Sequence, residues 1–229
     1  MKIGFTGITL QEGKLKYIDQ NLIALEKKDK PKKVSPYFVE FIKDEFTHAD
    51  VIVVPSDKIL DILILDMEKI ETRLTRTNDT KEKELLAQCQ TSLEQEIPLC
   101  DMNFTEEELA FLQLSALISV KPILKVNNEE DPNAIITKAF DKAGYTFFYT
   151  TGPKESHAWI IKKDSDIVIC AGKIHTDLAR GFIRADIVSF EDYLKCHNFN
   201  DCKAKGLVRA VNRDYKIQPF EIIEIMFSV

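Results

Sequence analysis

Three features of this 229-residue sequence predict an α/β protein in two parts. Apolar runs at 2–9, 36–42, 49–54 and 121–126 read as strands and alternate with amphipathic stretches through the first 145 residues. Leu60, Leu63, Met67, Ile70 and Leu74 recur at spacings of three and four, so a helical pair over about 57–96 interrupts the sheet. From residue 146 short β-branched and aromatic runs alternate with Gly, Pro and Asn turn signals, which predicts a small twisted sheet wrapped on a helix, of the β-grasp kind.

Each element has a local reason. The continuous β-branched run VIVV (51–54) predicts a strand buried on both faces. After the first helix of the pair, Thr77-Asn78-Asp79 marks a turn, and Leu86, Cys89 and Leu93 line one face of the second. The seam between them reads as burial within the pair or as a docking surface. Thr105 and Glu108 form a capping box that opens a helix from Glu106 to about Leu114. Asp131-Pro132 starts another, with Asp as N-cap and Pro at the first helical position, running to Ala143 before Gly144. In the last third FFYT, AWII, DIVIC, FIRADIV and EIIEIMF read as strands, and Ser189 caps the single helix FEDYLKC.

Composition narrows the function classes. Residues 146–229 hold 12 Lys and Arg against 11 Asp and Glu (+1), and the rest 19 against 26 (-7), so the acidity lies in front; there is no whole-chain basic signature for nucleic acid, and no DNA is expected as a partner. Five cysteines without CxxC spacing predict reduced thiols in the cytoplasm. Cys196, His197 and Cys202 read as two isolated thiols and a histidine or as a partial metal set; no metal and no cofactor is expected. The opening MKIGFTGI is too short and, beyond Leu10, too polar for a signal peptide, and no apolar run is long enough for a membrane span. Lys27, Lys28, Lys30, Lys32 and Lys33 read as a solvated loop or as an RNA-backbone contact.

The first strand runs toward Gly7-Ile8-Thr9-Leu10-Gln11-Glu12-Gly13-Lys14-Leu15. A phosphate loop needs G-x-x-x-x-G-K-[ST], so that backbone N–H groups cradle phosphates and a hydroxyl holds Mg²⁺. Here the glycines Gly7 and Gly13 are one residue too far apart, Leu15 replaces the hydroxyl, and Glu12 sets a negative charge against the phosphates. On a second alignment residues 10–18 merely bridge a deletion and Lys14 has no phosphate role. No D-x-x-G follows; Lys43-Asp44-Glu45-Phe46 stands there instead, without the glycine that senses a γ-phosphate. At the end of the 121–126 strand, Asn127-Asn128-Glu129-Glu130 is a place to read a base edge or a loop whose amides satisfy its own backbone.

TTGPKESHAW (150–159), AGKIHTDLARGFIRADIVS (171–189) and the terminal RDYKIQ…FSV resemble the C-terminal TGS domain of the YchF/Obg-like ATPase family, P-loop proteins of the translation-factor class. DMEKIETRL resembles the start of that family's helical insertion, and Asn127 with Glu130 resembles its N-x-x-E. The resemblance implies a trimmed P-loop-like sheet domain with an αα-hairpin insertion over 1–145, followed by a TGS-like β-grasp domain over 146–229. One departure is Gln218-Pro219-Phe220, where the family places an acidic-Gly turn. Pro219 fixes φ and lacks an N–H, so this turn must be built differently.

Two functions are expected from this pattern. The first is a non-catalytic binding or regulatory relative of these ATPases, acting in translation or stress response on the ribosome, RNA or translation factors. Its working residues would be Lys173, Arg180 and Arg184, the last two residues past Phe182 on the same strand face. Alternatively both arginines pair with Asp177 and Asp186 and hold their turn together. The second is a residual ATP- or GTP-binding protein or weak NTPase with a non-standard phosphate loop, using Gly7, Gly13, Lys14, Asn127 and Glu130. His175-Thr176-Asp177 resembles a base couple, but no nucleophile stands at a motif spacing from it, so no catalytic residue is assigned.

Overall fold

The computed structural model describes residues 1–228; Val229, the last residue of the expected β-grasp domain, lies outside them. In chain order the elements are β1 (Lys2–Phe5), β2 (Gly13–Lys16), α1 (Gln20–Asp29), β3 (Lys33–Ser35), β4 (Phe38–Lys43), β5 (Val51–Pro55), α2 (Ile59–Arg76) and α3 (Thr80–Glu94). They continue with α4 (Glu106–Leu114), β6 (Ile123–Val126), α5 (Pro132–Lys142), β7 (Tyr145–Thr150), β8 (Glu155–Lys162), α6 (Ile167–Ile174) and α7 (Thr176–Arg180). The last are β9 (Phe182–Val188), α8 (Phe190–Leu194), α9 (Phe199–Ala204), β10 (Arg209–Val211) and β11 (Ile222–Phe227). Two compact units result, 1–15 with 39–143 and 16–38 with 144–229. Among the described residues no helix is long and apolar enough to cross a membrane.

The first unit is built on a five-stranded sheet of order β2-β4-β1-β5-β6, in which β1 lies parallel to β4 and β5, and β5 parallel to β6. All five residues of β5 are buried, as a strand covered on both faces requires. A helical pair follows at once. α2 buries Ile59, Ile62, Leu63 and Ile70 against Ile52 and Val54, while Leu60 is 38% exposed. Leu63 and Ile70 of the expected seam are buried and Met67 and Leu74 pack partly buried against the same core; only Leu60 departs, Ile59 and Ile62 being buried instead at the start of the helix. Leu86, Cys89 and Leu93 of α3 are buried as expected. Each such side chain taken fully out of water contributes roughly 1.5–3 kcal/mol. The capping box of Thr105 and Glu108 and the Asp131 cap of α5 both form.

The second unit is a six-stranded mixed sheet of order β10-β9-β11-β7-β8-β3. β7 and β8 form an antiparallel hairpin, β9 runs antiparallel to β10 and β11, and β3 joins the edge parallel to β8. One face packs on α6 through Phe148, Ile161, Ile167, Cys170 and Ala185. α1 is fixed by its N-cap Asp19, which accepts the N–H groups of Asn21 and Leu22 and, at 2.9 Å, the hydroxyl of buried Tyr149. Burial raises the Asp19 carboxyl above its ordinary value, against the hydrogen bond from Tyr149.

Two readings of the sequence are corrected here. DIVIC is not a strand: Asp166 caps α6 by accepting from Ile169, and Ile167, Cys170, Ala171 and Ile174 fall on one helical face. FEDYLKC does supply α8 behind Ser189, but it is one of four helices in this stretch. The Gln218-Pro219-Phe220 turn is closed by Glu221 N–H to Gln218 O at 3.4 Å, with Phe220 at φ 66° where a type II turn ordinarily has glycine. The Glu221 carboxylate steadies it by accepting Gln218 N–H at 2.9 Å.

Candidate functional site

The carboxyl ends of β1, β5 and β6 form one edge of the first unit's sheet, the place where open parallel sheets bind ligands. Gly7 follows β1 at φ 70°, and a Cβ there would stand 2.8 Å from Lys58 Cδ and 3.3 Å from Pro55 Cδ. Asn127 follows β6 in an exposed turn, its carbonyl accepting the Glu130 N–H at 3.2 Å. The Glu130 carboxylate is held by Lys138 at 2.5 Å. Ser56 Oγ, after β5, donates to Val126 O at 3.4 Å. Gly7, Asn127 and Glu130 thus share this edge.

Gly13 and Lys14 lie elsewhere. Gly13, at φ 109° with open space around it, begins β2, and Lys14 is exposed on that strand, separated from β1 by β4. A phosphate loop delivers its Gly-Lys into a helix whose first N–H groups converge on the ligand. A strand points its N–H groups sideways. Asp44 accepts the Thr6 hydroxyl at 2.7 Å, and its N–H donates to Phe5 O, so it closes the end of β1.

In the second unit Lys173 ends α6 exposed, with no ion-pair partner among the described residues. Arg180 closes α7 and pairs with Asp177 at 2.8 Å while its side chain stays 73% exposed. Arg184 on β9 lies 3.7 Å from Asp186 and 3.2 Å from Met226 Sδ and is 49% exposed. The acid pairing anticipated from the sequence is therefore present for both arginines. The expectation that Phe182 and Arg184 share a strand face is corrected: the register shifts between Met226 and Phe227, so Arg184 pairs with Met226 and Phe182 with Phe227, leaving Ile183 as an extra residue. Phe182 is buried and Arg184 exposed as a result. Gly181 is required by close approach, since a Cβ would fall 2.0 Å from Ser228 O.

The other candidates resolve into structure. His175 Nδ1 accepts Asp177 N–H at 3.2 Å and caps α7. Cys196 and Cys202 are buried, and burial, then Cys196, pushes the Cys202 thiol up to about 12, where it stays protonated. Among the described residues no group of three His, Cys, Asp or Glu side chains is placed to hold a metal. Of the lysine cluster, Lys28 turns inward to Asp29 (2.9 Å), to His197 O (3.1 Å) and over the Tyr193 ring; Lys33 pairs with Glu155 (2.9 Å). Lys27, Lys30 and Lys32 are exposed.

Residues 145–228 match the family model YchF-GTPase_C, described as a protein of unknown function (DUF933). The chain is 27% identical to the ribosome-binding ATPase YchF of Bacillus subtilis (strain 168) over an alignment of 260 residues, covering 82% of this chain and 71% of that protein. It is 36% identical to Obg-like ATPase 1 of Danio rerio over 109 residues, 45% of this chain and 27% of that one. In fold it matches the Schizosaccharomyces pombe YchF GTPase with a TM-score of 0.79 at 15% identity, over 99% of this chain and 97% of that one. Residues 145–228 are thus similar to the YchF-type C-terminal domain, and the chain as a whole has a YchF-like fold.

Proposed function

We propose that this chain is a non-catalytic binding or regulatory relative of the YchF ATPases, acting in translation or stress response through its C-terminal TGS-like unit. The observation that carries the reading is the path of the chain after β1: it enters strand β2 and not a helix, so Gly13 and Lys14 are not delivered into a helix N-terminus that could receive a phosphate. Without converging N–H donors and a cation at the γ-phosphate, hydrolysis lacks its main electrostatic support.

Recognition then falls to the second unit, which holds 18 Lys and Arg against 14 Asp and Glu, whereas the first holds 13 against 23. Lys173, Arg180 and Arg184 supply the contact. An exposed pair such as Arg180–Asp177 is worth about 0–1 kcal/mol, so a phosphate of ribosomal RNA displaces the carboxylate at small cost. The relatives named as ribosome-binding make the ribosome the first partner to test. Co-sedimentation of the Arg180→Glu/Arg184→Glu double variant should fall about tenfold or more against wild type, and wild-type binding should weaken steeply with salt. Unchanged co-sedimentation by a folded double variant removes these residues from the interface. A second reading, residual nucleotide binding, rests on Gly7 and Asn127 sharing one sheet edge.

A further inference from the structure

The unit of residues 1–15 and 39–143 carries a groove at the sheet edge opposite Gly7 and Asn127. Phe46 and Thr47 precede β5, and Lys121 and Pro122 precede β6, so the groove opens at the amino ends of these parallel strands. Its deep part is a cavity of about 640 Å³ walled by Phe46, Leu117, Ile118, Val120 and Pro122. From Lys69, which borders it, a shallower channel follows α2 past Arg73 to Arg76.

The walls are fixed in advance. Asp66, fully buried on α2, accepts the N–H groups of Ile118 and Ser119, and Lys69 Nζ donates to Ala116 O at 2.7 Å. Ala116 is held at φ 51°. Lys121 Nζ gathers the carbonyls of Phe46, Thr47 and Ala49. A preformed, mostly apolar recess with a few polar groups at its rim is the usual form of a binding site, and little ordering entropy opposes its occupation. Leu114, next in sequence to the lining residue Gln113, is 88% exposed.

Charge identifies the occupant. The unit as a whole holds 13 Lys and Arg against 23 Asp and Glu, yet the groove is lined by Lys69, Arg73, Arg76 and Lys121, with Glu68 the one acid among its lining residues. Asp66 is fully buried beside Lys69, and Glu82, 14% exposed, pairs with Arg73. Arg76 has no ion-pair partner among the described residues. Carboxylates are the complement of such a lining, and the apolar recess at one end asks for an apolar anchor. From Lys69 to Arg76 the helix advances about 10 Å, the length of about three extended residues. A nucleic acid would bring a whole polyanionic backbone against a unit of net -10, which opposes it.

We propose that this groove binds a short acidic segment of a partner protein, with one apolar side chain in the recess and two or three carboxylates along Lys69, Arg73 and Arg76. The test is selection of a random dodecapeptide phage library on the full chain, then fluorescence anisotropy with the synthesised consensus. The expected consensus is Leu or an aromatic residue followed by Asp or Glu. Its Kd should rise about tenfold or more with Arg76→Glu, which reverses the free charge, and with Gln113→Trp, which narrows the recess. It should be unmoved by Arg180→Glu/Arg184→Glu. Both groove positions are exposed, so matched melting temperatures are expected. No consensus, a basic or uncharged one, displacement of the peptide by an RNA oligonucleotide, or variants that bind as wild type would each overturn the proposal.

Discussion

Asp66 and Ser119, 53 residues apart, are joined by a buried hydrogen bond: the Ser119 N–H donates to Asp66 Oδ2 at 2.6 Å, while Ile118 N–H donates to Oδ1 at 2.8 Å. Through this one carboxylate α2 holds the 3-10 turn at 118–120 that leads into β6. Asp66→Ala leaves two N–H groups without an acceptor, one of them buried, and should cost about 2–5 kcal/mol in urea unfolding. Asp66→Asn keeps one acceptor oxygen and should cost less. The Ser119 hydroxyl is itself buried without a partner, so Ser119→Ala should be neutral or slightly stabilising.

Gly181 marks where the end of β11 passes close to the turn before β9. Ser228 N–H donates to Gly181 O at 2.9 Å, and the space for a Cβ is taken by Ser228 O. Gly181→Ala should lower stability by about 1–3 kcal/mol. Amide exchange should show the loss concentrated at Ser228 and the end of β11, not spread through the unit.

His157 stacks on Trp159 at 3.6 Å between ring centroids, half-buried beside Glu155. Burial pushes its imidazole below the ordinary 6.5, against the upward pull of Glu155. The folded chain therefore binds fewer protons than the unfolded one between the depressed value and 6.5. Stability from this group is fully present above about pH 6.5 and is lost as pH falls through the folded value. His157→Phe, which keeps the stack, should flatten the fall in urea midpoint over that window; an unchanged slope would assign it to other groups.

The legible parts of the fold were those with local signals. VIVV announces β5, Thr105 with Glu108 announces α4, and Asp131-Pro132 announces α5, because capping and burial are decided within a few residues. α6 was hidden by its β-branched content, although Asp166 supplied a cap. α1 had the same kind of signal in Asp19. β3 had none: three residues acquire strand geometry only by pairing with β8, 122 residues later. The acid partners of Arg180 and Arg184 were readable because Asp177 and Asp186 stand three and two residues away. The bulge at Ile183 was not, since it depends on β11. The groove along α2 draws on residues 46–47, 68–76, 86 and 113–122, and leaves no signature in any one of them.

Recognition without hydrolysis stands or falls on how the chain responds to Mg·ATP. Melting temperature and phosphate release should be measured together, with millimolar Mg·ATP and then Mg·GTP. A ligand that binds only the folded chain must raise its melting temperature, so the expected result is no shift and no release above background. Saturable micromolar binding or turnover that disappears on altering Gly7 or Lys14 would contradict it.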